Sequence, residues 1–134
     1  MEIELSFKHE LEDLLRHYNE GYLVEAEKKS IFITENFPEN PIAWKILSSI
    51  LKDNGKFHET LEINKKLIEL ESDNFEHHYN LGNNLLELEK FNEAILSYKK
   101  AIKLNANYVD SYINLGIAFK SLGELRSAEK IYKK

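Results

Sequence analysis

Histidine is the side chain whose charge changes near neutral pH, so any acid–base or metal chemistry in this chain would be sought first at His9, His17, His58, His77 and His78. These residues do not assemble a site. His77 and His78 are adjacent, and adjacent residues on a helix point in different directions, so the pair cannot chelate one ion. His9 and His17 stand eight apart, and no carboxylate constellation completes a metal site around them. The chain has no cysteine, which removes thiolate nucleophiles, thiolate ligands and any disulfide framework. Its glycines come singly, so there is no glycine-rich loop to cradle a phosphate. No nucleophile–base motif is present. Carboxylates are plentiful but interspersed with lysines, the pattern of salt-bridged helix surfaces. The residues therefore predict no catalytic centre, no metal site and no cofactor, and a protein that is not an enzyme.

The elements that would position side chains are set by a period of 34 residues. Leu47, Leu81 and Leu115 keep that spacing, as do Trp44, His78 and Tyr112, and Leu51, Leu85 and Phe119. Ala26, Thr60, Ala94 and Ala128 form another series, and Tyr79-Asn80-Leu81-Gly82 returns as Ile113-Asn114-Leu115-Gly116. A fixed period of this size marks a stacked-repeat architecture. Each period divides into two amphipathic helices. In the third, Leu81, Leu85 and Leu88 follow helical spacing, and Phe91, Ala94, Ile95, Tyr98, Ala101, Ile102 and Leu104 form a second, wider stripe. Gly21, Gly55 and Gly123 share the register between the two helices, where a left-handed residue ends a helix at little cost. Glu89 holds that place in the third period and must either accept the left-handed conformation or use another turn. Asn40-Pro41 reads as an N-cap followed by a first helical residue, and Pro38 closes the first period. Helices are predicted over about 6–19, 22–36, 41–53, 57–71, 75–88, 91–105, 109–121 and 125–134, with ends uncertain by about two to four residues. Gly82 and Gly116 lie inside first helices, where glycine costs about 1 kcal/mol relative to alanine. Close approach by Ala94 and Ala128 would offset this, with Leu81, Leu85, Tyr98, Leu115, Phe119 and Tyr132 filling the space around.

Composition narrows the class further. Hydrophobic residues make up 43% and charged residues 31% of the 134, normal for a folded domain. There is no long apolar run to span a membrane. The start, Met1-Glu2-Ile3-Glu4-Leu5, lacks a secretory pattern, so a cytoplasmic location is expected. A net charge of −5 argues against a nucleic-acid partner. The charge is unevenly spread: −6 over residues 1–40, −3 over 41–90 and +4 over 91–134. This reads either as ordinary solvated surface or as opposite ends able to attract one another between copies.

The spacing resembles the tetratricopeptide repeat, a family of antiparallel helix pairs with Trp-x2-Leu-Gly-x2-Tyr in the first helix and Ala-x3-Phe in the second. The third repeat reads His78-x2-Leu81-Gly82-x2-Leu85, then Ala94-x3-Tyr98 and Ala101. The fourth reads Tyr112-x2-Leu115-Gly116-x2-Phe119, then Ala128-x3-Tyr132. The second is weaker, with Trp44, Leu47, Ser48, Leu51, Thr60, Asn64 and Leu67, and the first keeps Gly21, Ala26 and Pro38. The resemblance implies an all-α, right-handed α-solenoid as one domain over 1–134. Its repeats lie at about 7–40, 41–74, 75–108 and 109–134, the last incomplete. It also implies that the first helices line a concave face that binds peptides or partner segments.

Helical geometry selects residues for that face independently of the resemblance. If His78, Leu81, Gly82 and Leu85 face the core, Glu76, Tyr79, Asn80 and Asn83 lie opposite. The equivalents are Ile42, Lys45, Ile46 and Ser49 in the second repeat, and Asp110, Ile113, Asn114 and Ile117 in the fourth. Asn80 and Asn114 resemble two rungs of the asparagine ladder with which O-linked N-acetylglucosamine transferases grip a peptide backbone, since an amide both donates and accepts. The alternative is that asparagine is merely common here, as Asn83, Asn84, Asn92, Asn105 and Asn107 show. The lysine and asparagine clamp by which some family members hold a chaperone carboxylate is only partly matched, by Lys45 and Asn80, with Asp110 and Asn114 where cations are needed. Tyr79, Ile113 and Ile117 add an apolar strip of the kind that marks partner sites.

The leading expectation is thus an interaction scaffold that takes a protein or peptide partner on Lys45, Ser49, Tyr79, Asn80, Asn83, Ile113, Asn114 and Ile117. A second is the recognition arm of a larger glycosyltransferase or sulfotransferase, since the chain stops at Lys134 inside the second helix of a repeat. A third is self-assembly into a homo-oligomer through the acidic and basic repeat ends.

Overall fold

A computed structural model describes the backbone of residues 2–133 and the side chains of residues 2–126. Among the described residues it contains no strand and seven helices: α1 (Glu2–Asn19), α2 (Leu23–Asn36), α3 (Pro41–Asp53), α4 (Phe57–Leu70), α5 (Phe75–Glu87), α6 (Phe91–Leu104) and α7 (Val109–Lys133). The fold is an all-α helical repeat. The helices α2 to α6 fall on their predicted spans, and α1 begins earlier, at Glu2.

The turns inside the periods explain why the register is so regular. Gly21, Gly55 and Glu89, each 34 apart, have φ of 83°, 74° and 58°. Each is bracketed by the same two bonds. Gly21 N–H donates to Tyr18 O and Tyr22 N–H to His17 O; Gly55 to Lys52 O and Lys56 to Leu51 O; Glu89 to Leu86 O and Lys90 to Leu85 O. This pair of bonds satisfies the last carbonyls of a helix and reverses the chain. Glu89 therefore takes the left-handed conformation despite its Cβ.

Gly123 holds the fourth place in that register and does not turn. Its φ is not positive, and α7 runs through it to Lys133. The predicted break between residues 121 and 125 is corrected to one continuous helix. Ending a helix there would give up intrahelical hydrogen bonds, and only packing of a returning helix could repay them. Among the described residues nothing lies within 4 Å of a Cβ placed on Gly123, whereas a glycine inside a helix costs only about 1 kcal/mol.

The starts of the periods are also repeated. Asn40 Oδ1 accepts from Ile42 N–H and Asn74 Oδ1 from Glu76 N–H, each at 3.0 Å, the N-cap geometry that satisfies an otherwise orphaned donor. Trp44 Nε1–H donates to Pro38 O at 2.9 Å, His78 Nε2 to Ser72 O at 3.0 Å, and Tyr112 O–H to Ala106 O at 2.9 Å. A carbonyl can only accept, so His78 carries its proton on Nε2. The aromatic slot of the repeat is thus also a donor slot, tying the first helix to the turn six residues before it.

The chain divides into two compact units, Met1–Ile63 and Asn64–Lys134. In the first, α1 packs on α2 and α2 on α3 around Leu14, Ala26, Ile33, Ala43, Ile46 and Ile50, with Phe7 and Phe37 rings 5.0 Å apart at its edge. Ile46 is only 8% exposed, so it belongs to this core and not to the opposite face where the sequence reading put it. A single apolar side chain between Ala43 and Ile50 gains more from burial than from solvent.

In the second unit α6 packs between α5 and α7. Leu85, Ala94, Ile95, Tyr98, Ala101 and Ala118 are buried. The Tyr98 ring lies across Gly82, where an added Cβ would stand 2.6 Å from Cε1, so glycine is required by this contact. The expected match in the fourth repeat is not formed. Among the described residues nothing lies within 4 Å of a Cβ on Gly116, and Tyr112 and Phe119, expected in the core, are 48% and 49% exposed. The straight course of α7 is the physical reason, because among the described residues no returning helix covers them. The predicted contacts of Ala128 and Tyr132 lie outside the described side chains.

Candidate partner-binding face

The candidate face is built on α5 and α7, which meet in the second unit. Asn114 is half-buried and is fully engaged as a donor: its Nδ2 donates to Tyr79 Oη at 3.0 Å and to Asn83 Oδ1 at 2.9 Å. Tyr98 Oη donates to the same Asn83 oxygen at 2.6 Å. Burial, followed by the neighbouring Tyr79 hydroxyl, pushes the Tyr98 phenol well above its ordinary range, so it remains a donor at any physiological pH. The Tyr79 ring sits 6.0 Å from Tyr98 and edge-on to Tyr108 at 5.1 Å, and Tyr108 in turn meets Phe75 at 5.0 Å. Such tilted aromatic pairs add stabilisation beyond their buried area.

This network brings together Tyr79, Asn83 and Asn114 of the predicted set. Beside it Asn80 is exposed, and Ile113 and Ile117 are 54% and 46% exposed. The two asparagines of the proposed ladder therefore have different surroundings: Asn80 presents its whole amide to solvent, while Asn114 retains only its carbonyl oxygen. Lys45 and Ser49 belong to the first unit. Lys45 is exposed, and Ser49 Oγ is half-buried and accepts from Tyr18 Oη at 3.4 Å.

Sequence reasoning missed the polar side of the second unit. Tyr98 was placed by its ring alone, although its hydroxyl organises Asn83. Asn64, in the same register slot as Tyr98, is buried and donates to Asn84 Oδ1. His77 is buried with Nε2 2.6 Å from Glu71 Oε1, while its Nδ1 and the Ser111 hydroxyl are buried without a partner. The signal available was the recurrence of polar residues at slots that are apolar elsewhere in the repeat. Among the described residues, no three metal-ligating side chains cluster, and no helix is long and apolar enough to cross a membrane.

The family model described as TPR repeat matches residues 82–123, which covers most of the third repeat and the start of the fourth. Over that stretch the chain is similar to the repeat that the residue spacing resembles. Solved structures extend the likeness of fold beyond that stretch. MamA protein matches with a TM-score of 0.81 at 24% identity, over 95% of this chain and 69% of that one. The first TPR of Spaghetti (RPAP3), solved bound to an HSP90 peptide, matches at 0.78 and 18% identity, over 87% of this chain and 93% of that one. A mutant of Thermobaculum terrenum O-GlcNAc transferase matches at 0.72 and 20% identity, over 88% of this chain but 23% of that one. No curated protein matches the chain.

Proposed function

We propose that this chain is a non-catalytic protein-interaction module that binds an extended peptide or partner segment. The carrying observation is the hydrogen-bonded set Tyr79–Asn83–Asn114–Tyr98, which fixes amides in place beside the exposed apolar Ile113 and Ile117. Pre-organised polar groups next to an apolar strip suit a peptide, because the side chains need not be ordered on binding. Asn80 then donates to and accepts from the peptide backbone, and Asn114 offers its remaining oxygen to a peptide N–H. Ile113 and Ile117 take an apolar side chain of the ligand. The peptide-bound Spaghetti domain, similar in fold, supports this kind of partner. A resident cofactor is not part of this reading.

The test is capture from an immobilised library of extended peptides. Asn80→Ala and the pair Ile113→Asp and Ile117→Asp should each reduce capture without lowering the melting temperature, since all three side chains are exposed. Capture equal to wild type in both variants would remove this face from the proposal.

A further inference from the structure

Helix α2 is apolar on two opposite sides. Ala26 and Ile33 are buried in the core of the first unit, with Ser30 and Thr34 beside them. At about 3.6 residues per turn, Val24, Ile31 and Phe32 lie on the far side of the same helix, and all three are exposed. A surface helix ordinarily carries polar and charged residues there. The next two second helices do so. In the 34-residue register, the places of Val24, Ile31 and Phe32 hold His58, Lys65 and Lys66 in α4, and Asn92, Lys99 and Lys100 in α6. In α6 all three places are exposed although that helix packs on both α5 and α7. The exposure therefore belongs to the outer face of the repeat, and only the first repeat fills it with apolar side chains.

The strip is spaced for one more helix. Val24, Lys28, Ile31 and Glu35 are four, three and four residues apart, the seam spacing of two helices in contact. Its charges are uncommitted. Lys29, next along the chain, is engaged within its own unit, 2.5 Å from Glu10 and 3.8 Å from Asp13. Lys28 and Glu35 are exposed and make no ion pair among the described residues.

We propose that the outer face of α2 packs antiparallel on the same face of a second copy of this chain, about a two-fold axis between Ile31 and Phe32. Ile31 of each copy then meets Phe32 of the other. Lys28, three places before Ile31, meets Glu35, three places after Phe32, and the symmetry forms this pair twice. A two-fold contact must be self-complementary, and this strip is so in charge as well as in apolar surface. Parallel helices would set Lys28 against Lys28 and Glu35 against Glu35, so charge selects the antiparallel dimer.

Sedimentation equilibrium of the whole chain tests this. The face is small, so the association is weak and is read at up to about 1 mM protein. Lys28→Glu and Glu35→Lys should each weaken the dimer by about tenfold, because two pairs become like-charged at once. Mixed in equal amounts, the two variants should recover wild-type affinity as a heterodimer, since every reversed charge then meets its opposite. Ile31→Asp should abolish the dimer. All three side chains are exposed, so the melting temperature of the dilute monomer should stay at the wild-type value. A wild type that remains monomeric throughout overturns the proposal and leaves the face to a different partner. A dimer that the single charge reversals leave unchanged overturns it too, as does a mixture no tighter than its parts.

Discussion

Tyr98 does two jobs with two ends of one side chain. Its ring occupies the space that Gly82 vacates, and its hydroxyl binds Asn83 Oδ1. Gly82→Ala would gain about 1 kcal/mol of helix propensity but force a methyl group against a buried ring, and overpacking of this kind costs about 1–3 kcal/mol. A net loss of stability is expected, read as a lower denaturation midpoint. The hydroxyl has a pH signature. Burial favours the neutral phenol, so the folded state holds this proton more tightly than the unfolded chain does. That contribution is whole below the unfolded phenol's value of about 10, and it is lost as pH rises above it. Tyr98→Phe should therefore lower stability at pH 8 by about 0.5–1.5 kcal/mol. The gap from wild type should shrink as chemical denaturation is repeated towards pH 11, and a gap that stays constant or widens would contradict the assignment.

At the scale of the elements, the three chain reversals are one structure made with two residue types. Glu89 adopts φ 58° where glycine stands in the earlier repeats. A left-handed L-residue costs about 1–2 kcal/mol, part of which a glycine returns as unfolded-state entropy. Glu89→Gly should thus stabilise by up to about 1 kcal/mol, and Gly55→Ala should destabilise by a similar amount. Equal melting temperatures in both variants would refute the argument. Much of this level was legible in the residues. Asn40-Pro41, the glycine register and the apolar stripes place α2 to α6, because those signals are local. Gly123 was misread because a glycine permits a turn without enforcing one; what decides is whether a returning helix packs, and that is not a local property. Ile46 was misassigned for a related reason, since helical phase alone does not show that another helix covers both sides of α3. On the candidate face, Tyr79, Asn80, Asn83 and Asn114 could be read from periodicity. The bonds that make Asn114 unlike Asn80 depend on Tyr79 and Asn83, which approach it from another helix.

At the scale of the whole molecule, the distribution of charge gives an expectation for association. Residues 1–40 carry a net −6 and residues 91–134 a net +4. Attraction between such ends would weaken steeply with salt, because screening cuts electrostatic reach to about 10 Å at 0.1 M. Sedimentation at low and at high salt reads this directly, and an association that persists unchanged at the higher salt would exclude the charged ends.

The bonds from Trp44, His78 and Tyr112 to Pro38, Ser72 and Ala106 carry a lesson for recognising such chains. An indole, an imidazole and a phenol satisfy the carbonyl six residues earlier, at the equivalent place in three repeats. What the three repeats share at that slot is a proton on a flat ring, and three amino acids supply it. A comparison that scores letters counts His78 and Tyr112 as departures from tryptophan. One that scores what the slot must deliver to the preceding turn counts them as synonyms.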